Sequence, residues 1–179
     1  IPLRLVGSEM CIRDRNKNGL VMELEDDHAG TEFTWNLLLV CGDPNAASTY
    51  FGGFPKEQVS PISCPDNLAF DSHGNLWIST DGNALGSNDG LYAVGLEGEN
   101  RGRVTCFLTV PYAAETCGPI VTDEVVMVNV QHPGETDEGT FEKPASHWPD
   151  GGDSVPRPAV AQVFRTCLLY TSDAADERS

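Results

Sequence analysis

Three groups of polar side chains in this sequence have the residue types and spacing of metal ligands. The first flanks one strand pair, with Asp66 and Asn67 at its start and Asp81 at its end. Carboxylate and amide oxygens are hard ligands that suit Ca²⁺, and residues at the same end of two paired strands can converge on one ion. The alternative interpretation is that these are turn residues, which cap the strand ends through local hydrogen bonds.

The second group centres on Glu115, which lies among small apolar residues in the run 113–119. Burial there would raise the pKa of the carboxyl group unless a cation or a hydrogen-bond donor stabilises its charge. We therefore expect Glu115 to be a metal ligand. Cys117 could bind the same ion, although a single cysteine in a strand is more often an inert small hydrophobe.

The third group is His132, which directly follows a hydrophobic strand and a glutamine. An imidazole at this junction could bind a metal, hold a phosphate or relay a proton, although such a histidine is more often a hydrogen-bonded structural residue. The acidic stretch 134–142 that follows is interpreted as a solvated insertion. No motif supports serine, thiol or HExxH-type zinc chemistry.

Short β-strands are predicted to position these groups. The clearest signal is a hairpin of residues 67–71 and 76–80, joined by a turn in which Gly74 supplies a positive φ. Period-two or continuous apolar runs predict further strands at 20–24, 33–40, 91–96, 104–110, 118–121, 125–130 and 159–164. No segment longer than about eight residues has a helical period. This spacing of short strands indicates an all-β sandwich, barrel or propeller.

The charge of the chain excludes several classes of partner. The 179 residues include 27 acidic and 11 basic side chains, for a net charge of −16. Such acidity disfavours binding to nucleic acid or to an anionic membrane surface. No apolar run approaches the roughly 20 residues of a membrane-spanning helix. We therefore expect neither nucleic-acid binding nor membrane insertion. A separate expectation is that the protein is a monomer.

Both ends of the sequence are interpreted as translated sequencing adapter rather than natural protein. Residues 5–14 (LVGSEMCIRD) and 167–177 (CLLYTSDAADE) correspond to the two arms of a transposase adapter. We therefore assign 1–15 and 167–179 to the adapter and 16–166 to the natural protein. The two end segments carry five acidic and four basic residues, so the natural part remains strongly acidic. Because both natural ends would be lost, the lack of a signal peptide says nothing about the compartment.

Several long motifs in the natural part resemble the PhoX family of alkaline phosphatases. They are Phe51–Asp71, Gly74–Asn83, Ala114–Pro119 and Val128–Glu135, in the family's order. The resemblance implies a six-bladed propeller, of which this chain holds about two blades as an incomplete C-terminal fragment. An isolated piece of this kind leaves strand edges open, so we expect the fragment alone to be inactive.

The resemblance also implies a function, which is hydrolysis of phosphate monoesters by an exported, periplasmic or extracellular enzyme that binds Ca²⁺ and Fe³⁺. Glu115 matches the family's Gly-Ala-Glu position and is the strongest ligand candidate. Asp66, Asn67 and Asp81 are further candidates for the metal site, and His132 is a candidate catalytic contact. Two alternatives stay open at this stage: a calcium-dependent lactonase-type propeller hydrolase, and a non-catalytic binding propeller.

Overall fold

The computed structural model describes residues 16–26, 28–82 and 84–164. Within these ranges the regular structure consists of ten β-strands and two short 3₁₀ turns, Lys56–Gln58 and Gly98–Asn100, with no α-helix. The strands are β1 (Leu20–Glu25), β2 (Thr34–Val40), β3 (Tyr50–Phe51), β4 (Pro65–Phe70), β5 (Leu76–Thr80), β6 (Gly90–Val94), β7 (Val104–Thr109), β8 (Glu115–Val121), β9 (Val125–Gln131) and β10 (Ala159–Phe164). The segments assigned to adapter, 1–15 and 167–179, lie outside the described residues, as does Asn83.

The strands form three antiparallel sheets, and none of the three closes on itself. Their orders are β1-β2-β3, β4-β5-β6-β7 and β8-β9-β10. The four-stranded sheet is a simple meander, which is the form of one propeller blade. Strand β8 packs beside β4 and β5, so the second and third sheets are neighbours through their first strands. The prediction of an all-β, partial propeller is confirmed.

The predicted hairpin around Gly74 forms between β4 and β5, and its turn is held by one carboxylate. Gly74 has a φ of +81°. The Asp71 carboxylate accepts hydrogen bonds from the backbone N–H groups of His73 and Asn75, both at 2.9 Å, and from Trp77 Nε1 at 3.0 Å. Burial raises the pKa of Asp71, but these hydrogen bonds outweigh burial and lower the pKa below its ordinary value.

Two hydrophobic clusters support the sheets. The larger cluster joins the first two sheets and consists of Val21, Leu38, Leu39, Cys41, Phe51, Ile62, Leu76, Ile78, Tyr92, Val94, Leu96 and Val104. The smaller cluster consists of Val110, Ala114 and Val130, with Leu108, Trp148 and Ala161 packed against it. Because Ala114 directly precedes Glu115 and Val130 precedes Gln131, this second cluster holds the ends of β8 and β9 in place.

The predicted strands differ from the observed ones mainly near the candidate ligands. Strand β8 begins at Glu115 rather than at residue 118, and its pairing with β9 shifts register between Cys117 and Ile120. Polar residues and a glycine at the start of β8 conceal the strand in the sequence. Strand β3 was not predicted, because two residues are too few to show a period. No helix in the described ranges is long and apolar enough to cross a membrane.

Candidate metal centre

Strands β4 and β5 bring Asp66 and Asp81 to the same end of the four-stranded sheet. Asp66 is the second residue of β4, and Asp81 directly follows β5, whose last residue Thr80 pairs with Pro65. The Asp81 backbone N–H donates a hydrogen bond to the Cys64 carbonyl oxygen at 3.0 Å. Burial raises the pKa of Asp66, and the nearby charge of Asp81 raises it further. These two predicted ligands are therefore electrostatic neighbours.

Asn67 links β4 to β8. Its Oδ1 accepts a hydrogen bond from the Gly118 backbone N–H at 2.9 Å. Gly118 has a φ of +54°, and a Cβ atom there would lie 2.8 Å from Asn129 Nδ2. Because an amide oxygen has two lone pairs, Asn67 keeps one acceptor position for an ion. The structure thus gives Asn67 a role in joining the sheets, which sequence reasoning missed.

Glu115 begins β8 and lies directly opposite Gln131 of β9. Gln131 Nε2 donates a hydrogen bond to Glu115 Oε2 at 2.9 Å, and the Glu115 side chain is half-buried. Burial is the main cause that raises the pKa of Glu115, and the next cause is the charge of Asp81. His132 opposes the rise, whereas Glu135 and Asp66 add to it. Glu115 therefore shares one electrostatic environment with Asp66 and Asp81.

The loop after β9 adds two further groups to this environment. One ligand atom from each of Glu115, His132 and Glu135 lies within 4.8 Å of the others. The loop is held against the one before β8, because the Glu135 backbone N–H donates to the Ala113 carbonyl oxygen at 2.9 Å. His132 and Ala113 have φ values of +48° and +51°, a left-handed conformation that costs a non-glycine residue energy.

Glu135 is the site residue that sequence reasoning missed. It belongs to the acidic stretch 134–142, whose acidic side chains are all exposed, in agreement with a solvated insertion. Glu135 differs from the acids that follow it because its backbone contacts the segment before β8, which brings its side chain close to Glu115 and His132. The available signal was the spacing of His132 and Glu135, which places both residues at the same strand end as Glu115.

A second missed residue, Asp89, supports the segment that carries Asp81. Its buried carboxylate accepts hydrogen bonds from Thr80 Oγ1 at 2.6 Å and from the Gly82 backbone N–H at 3.1 Å. Burial raises the pKa of Asp89, the two hydrogen bonds oppose the rise, and the charge of Asp81 adds to it. The carboxylate of Asp89 therefore stabilises the fold next to Asp81 through these two hydrogen bonds.

The donor set on this rim fits a hard cation. Among the described residues it offers carboxylate oxygens from Asp66, Asp81, Glu115 and Glu135, and an imidazole from His132. Carboxylate oxygens suit Ca²⁺, and carboxylate together with imidazole also suits iron. Burial and then repulsion by the acids raise the pKa of Glu115, so a bound cation would stabilise the ionised form of this carboxyl group.

Comparison with known proteins identifies the family of this chain. The family model described as alkaline phosphatase PhoX matches residues 7–134. The chain belongs to the PhoX alkaline phosphatase family. The match contains all five predicted site residues and ends one residue before Glu135. Its first residues fall within the segment 1–15, for which the sequence predicts an adapter origin.

One solved structure is similar to this PhoX-family chain. Pseudomonas fluorescens PhoX in complex with vanadate, a transition state analogue, superposes with a TM-score of 0.65 and 27% sequence identity. The alignment covers 86% of this chain and 27% of that protein, so the chain spans about a quarter of its length. No curated protein matches the chain.

Proposed function

We propose that this chain supplies part of the metal centre of a phosphomonoester hydrolase, the activity for which its family is named. The observation that carries the proposal is that Glu115, His132 and Glu135 each offer a ligand atom within 4.8 Å of the others. The charges of Asp66 and Asp81 also act on Glu115. These groups, with the free lone pair of Asn67, would hold Ca²⁺ and Fe³⁺. Alkaline phosphatases act on anions, and a bare acidic rim repels an anion. Substrate binding should therefore depend strictly on the ions.

The ions, when bound, would neutralise the charge of the phosphate and lower the pKa of a coordinated water molecule. The residues of the chain hold and orient these components. The smaller hydrophobic cluster fixes the start of β8, and the hydrogen bond between Gly118 and Asn67 fixes β8 relative to β4. We propose that the exposed His132 contacts a phosphate oxygen through a ring N–H. Glu135 lies beside it and adds a further ligand for a cation.

Both a phosphatase and a lactonase-type hydrolase would use strand-end carboxylates to hold Ca²⁺, so the ligands alone do not distinguish them. Family membership favours the phosphatase. A non-catalytic binding propeller is the second candidate. The imidazole and the two glutamates near it form a site that could retain an ion without turning over a substrate. Both candidate functions predict that the protein binds an ion, but only the phosphatase predicts turnover of a substrate.

The test requires the complete protein, by which we mean the product of the whole coding sequence that contains residues 16–166. It should hydrolyse p-nitrophenyl phosphate, lose this activity on chelation with EGTA, and regain it with Ca²⁺. The Glu115→Gln variant should lose at least tenfold in kcat/KM and bind less metal. Glu124→Gln is the matched control, because Glu124 lies in the turn at the opposite end of the same hairpin.

Three results would contradict the phosphatase proposal. Activity that survives complete removal of Ca²⁺ would reject the role of this ion. Ion binding without turnover of any phosphomonoester would assign the protein to the non-catalytic class, and turnover of lactones alone would favour the lactonase class. Normal metal content and rate in Glu115→Gln would remove Glu115 from the ligand set.

We also propose that the complete protein is exported to the periplasm or the cell exterior and acts as a monomer on phosphate monoesters. The family resemblance supports export, and the recovered coding sequence should then contain an export signal. Cell fractionation and size-exclusion chromatography with light scattering would test both statements. A cytosolic or a dimeric enzyme would contradict the corresponding one.

A further inference from the structure

We propose that Gln131 is a positioning residue, which orients the Glu115 carboxylate so that one of its two oxygens is presented to the cation. This inference rests on the proposed metal-dependent function. Gln131 is uncharged and was not among the candidate ligands. Its importance follows from the two side-chain hydrogen bonds that it makes at the end of β9.

The pairing of β8 and β9 places Gln131 within reach of two residues at once. Glu115 is its direct cross-strand partner, and Cys117 lies two residues further along the same face of β8. Directly opposite and diagonal residues are the pairs that contact each other on one face of an antiparallel sheet. Gln131 Nε2 donates to Glu115 Oε2 at 2.9 Å, and Gln131 Oε1 accepts from Cys117 Sγ at 3.3 Å.

These two bonds determine which way the Gln131 amide faces. An amide has donors on its nitrogen and an acceptor at its oxygen, whereas a carboxylate only accepts. Turning the amide by 180° would place its oxygen against the Glu115 carboxylate and its N–H₂ group against the Cys117 thiol. The bond to Glu115 would be lost and the carboxylate would face a repulsive partner, while the thiol sulfur would be only a weak acceptor for the N–H₂ group. The carboxylate therefore sets which end of the amide faces it, and the Cys117 thiol holds the opposite end in place, so that the amide and the carboxylate keep one mutual orientation.

The consequence for the cation concerns the two oxygens of Glu115. Oε2 is engaged by Gln131, and no other hydrogen bond to this carboxylate forms within the described ranges. Oε1 thus keeps both lone pairs for an ion, and Oε2 is less available because one lone pair is used. Partners that orient a ligand in this way commonly change metal affinity by about 10- to 100-fold when they are removed.

The experiment measures the Ca²⁺ concentration that gives half of the maximal thermal stabilisation of the complete protein, a readout that requires no turnover. The Gln131→Met variant removes both hydrogen bonds and keeps a side chain of similar length. We expect its half-saturating Ca²⁺ concentration to rise by about 10- to 100-fold. Gln162→Met is the matched control, because Gln162 lies on β10 and its amide donates to Met127 Sδ, away from Glu115. Its half-saturating concentration should stay within about twofold.

A double-mutant cycle tests whether Gln131 acts through Glu115. In a Glu115→Gln background, Gln131→Met should have little further effect, because the group that it orients has lost its charge. The full loss in that background would show independent action and overturn the proposal. An unchanged Ca²⁺ response in Gln131→Met, or a complete protein that Ca²⁺ does not stabilise at all, would overturn it as well.

Substitutions at Cys117 test the orientation of the amide separately. Cys117→Ser retains a donor and should keep the Ca²⁺ response, whereas Cys117→Ala should weaken it. Loss of the folded state in both Gln131→Met and Cys117→Ala would assign these bonds to the stability of the sheet and overturn the proposal. Failure of the phosphatase proposal would look different. The protein would then respond to Ca²⁺ as described and yet hydrolyse no phosphomonoester.

Discussion

Replacing Gly118 with alanine tests how the contact between β4 and β8 holds the two halves of the candidate site together. Gly118 has a φ of +54°, a left-handed conformation that costs a residue with a Cβ atom about 1–2 kcal/mol. The new methyl group would lie 2.8 Å from Asn129 Nδ2, which donates a hydrogen bond to the Cys117 carbonyl oxygen at 3.2 Å. Loss of that bond costs about 0.5–1.5 kcal/mol. The expected total is about 1.5–3.5 kcal/mol.

The matched control is Gly74→Ala, in the turn at the other end of β4. Gly74 has a φ of +81°, but among the described residues no atom beyond its two chain neighbours lies within 4 Å of the position that a Cβ would take. This variant should lose only the conformational part, about 1–2 kcal/mol. Urea denaturation of the complete protein would measure both changes as shifts in the midpoint at an unchanged slope.

The same pair of variants separates stability from ion binding. Gly118→Ala should also raise the half-saturating Ca²⁺ concentration, because the Gly118 N–H is held by Asn67 beside Asp66, and Glu115 lies three residues earlier on β8. Gly74→Ala should leave it unchanged. The reasoning is refuted if the two variants destabilise the protein equally, or if Gly118→Ala responds to Ca²⁺ as the unmodified protein does.

Three further predictions concern the charges of the site. Glu135→Gln should weaken Ca²⁺ binding by about tenfold or more, as measured by calorimetry, whereas Glu138→Gln in the same exposed loop should leave it unchanged; equal effects would exclude Glu135 as a ligand. The folded-state pKa of Glu115 is raised, so the stability linked to its proton is present at low pH and is lost as the pH rises through that pKa. The metal-free protein should therefore lose stability as the pH rises through the pKa of Glu115, and saturating Ca²⁺ should abolish this loss. An unfolding midpoint that is independent of pH in EGTA would contradict the prediction. Asp89→Ala should destabilise the protein by about 2–4 kcal/mol in urea, because it leaves Thr80 Oγ1 and the Gly82 N–H without their acceptor, and a loss below about 0.5 kcal/mol would reject that role.

Local chemistry explains why most strands could be predicted. The β4–β5 hairpin follows from alternating side chains and from a turn in which Asp71 accepts backbone N–H groups and Gly74 takes a positive φ. Each of these features involves residues within a few positions of one another. The start of β8 was not predicted, because its register shift depends on contacts with β9 and with Asn67 rather than on its own sequence.

The candidate site was predictable by residue type but not by arrangement. Asp66, Asp81 and Glu115 are recognisable as ligand candidates from their neighbours in the chain and from motifs that resemble a known family. Their mutual approach depends on how the second and third sheets pack, and this packing joins residues about fifty positions apart. No pattern within either segment specifies that distance.

The amino-acid sequence by itself determined the all-β class, the acidic character, the hairpin turn and the family of this protein. These properties depend on composition, on short-range periodicity and on motifs that stay intact along the chain. Only the tertiary structure decided that Glu135 joins the site, that Asn67 holds β8 and that Gln131 engages one oxygen of Glu115. Hydrogen bonds and charge interactions act over a few ångströms, so these roles exist only once the sheets have packed.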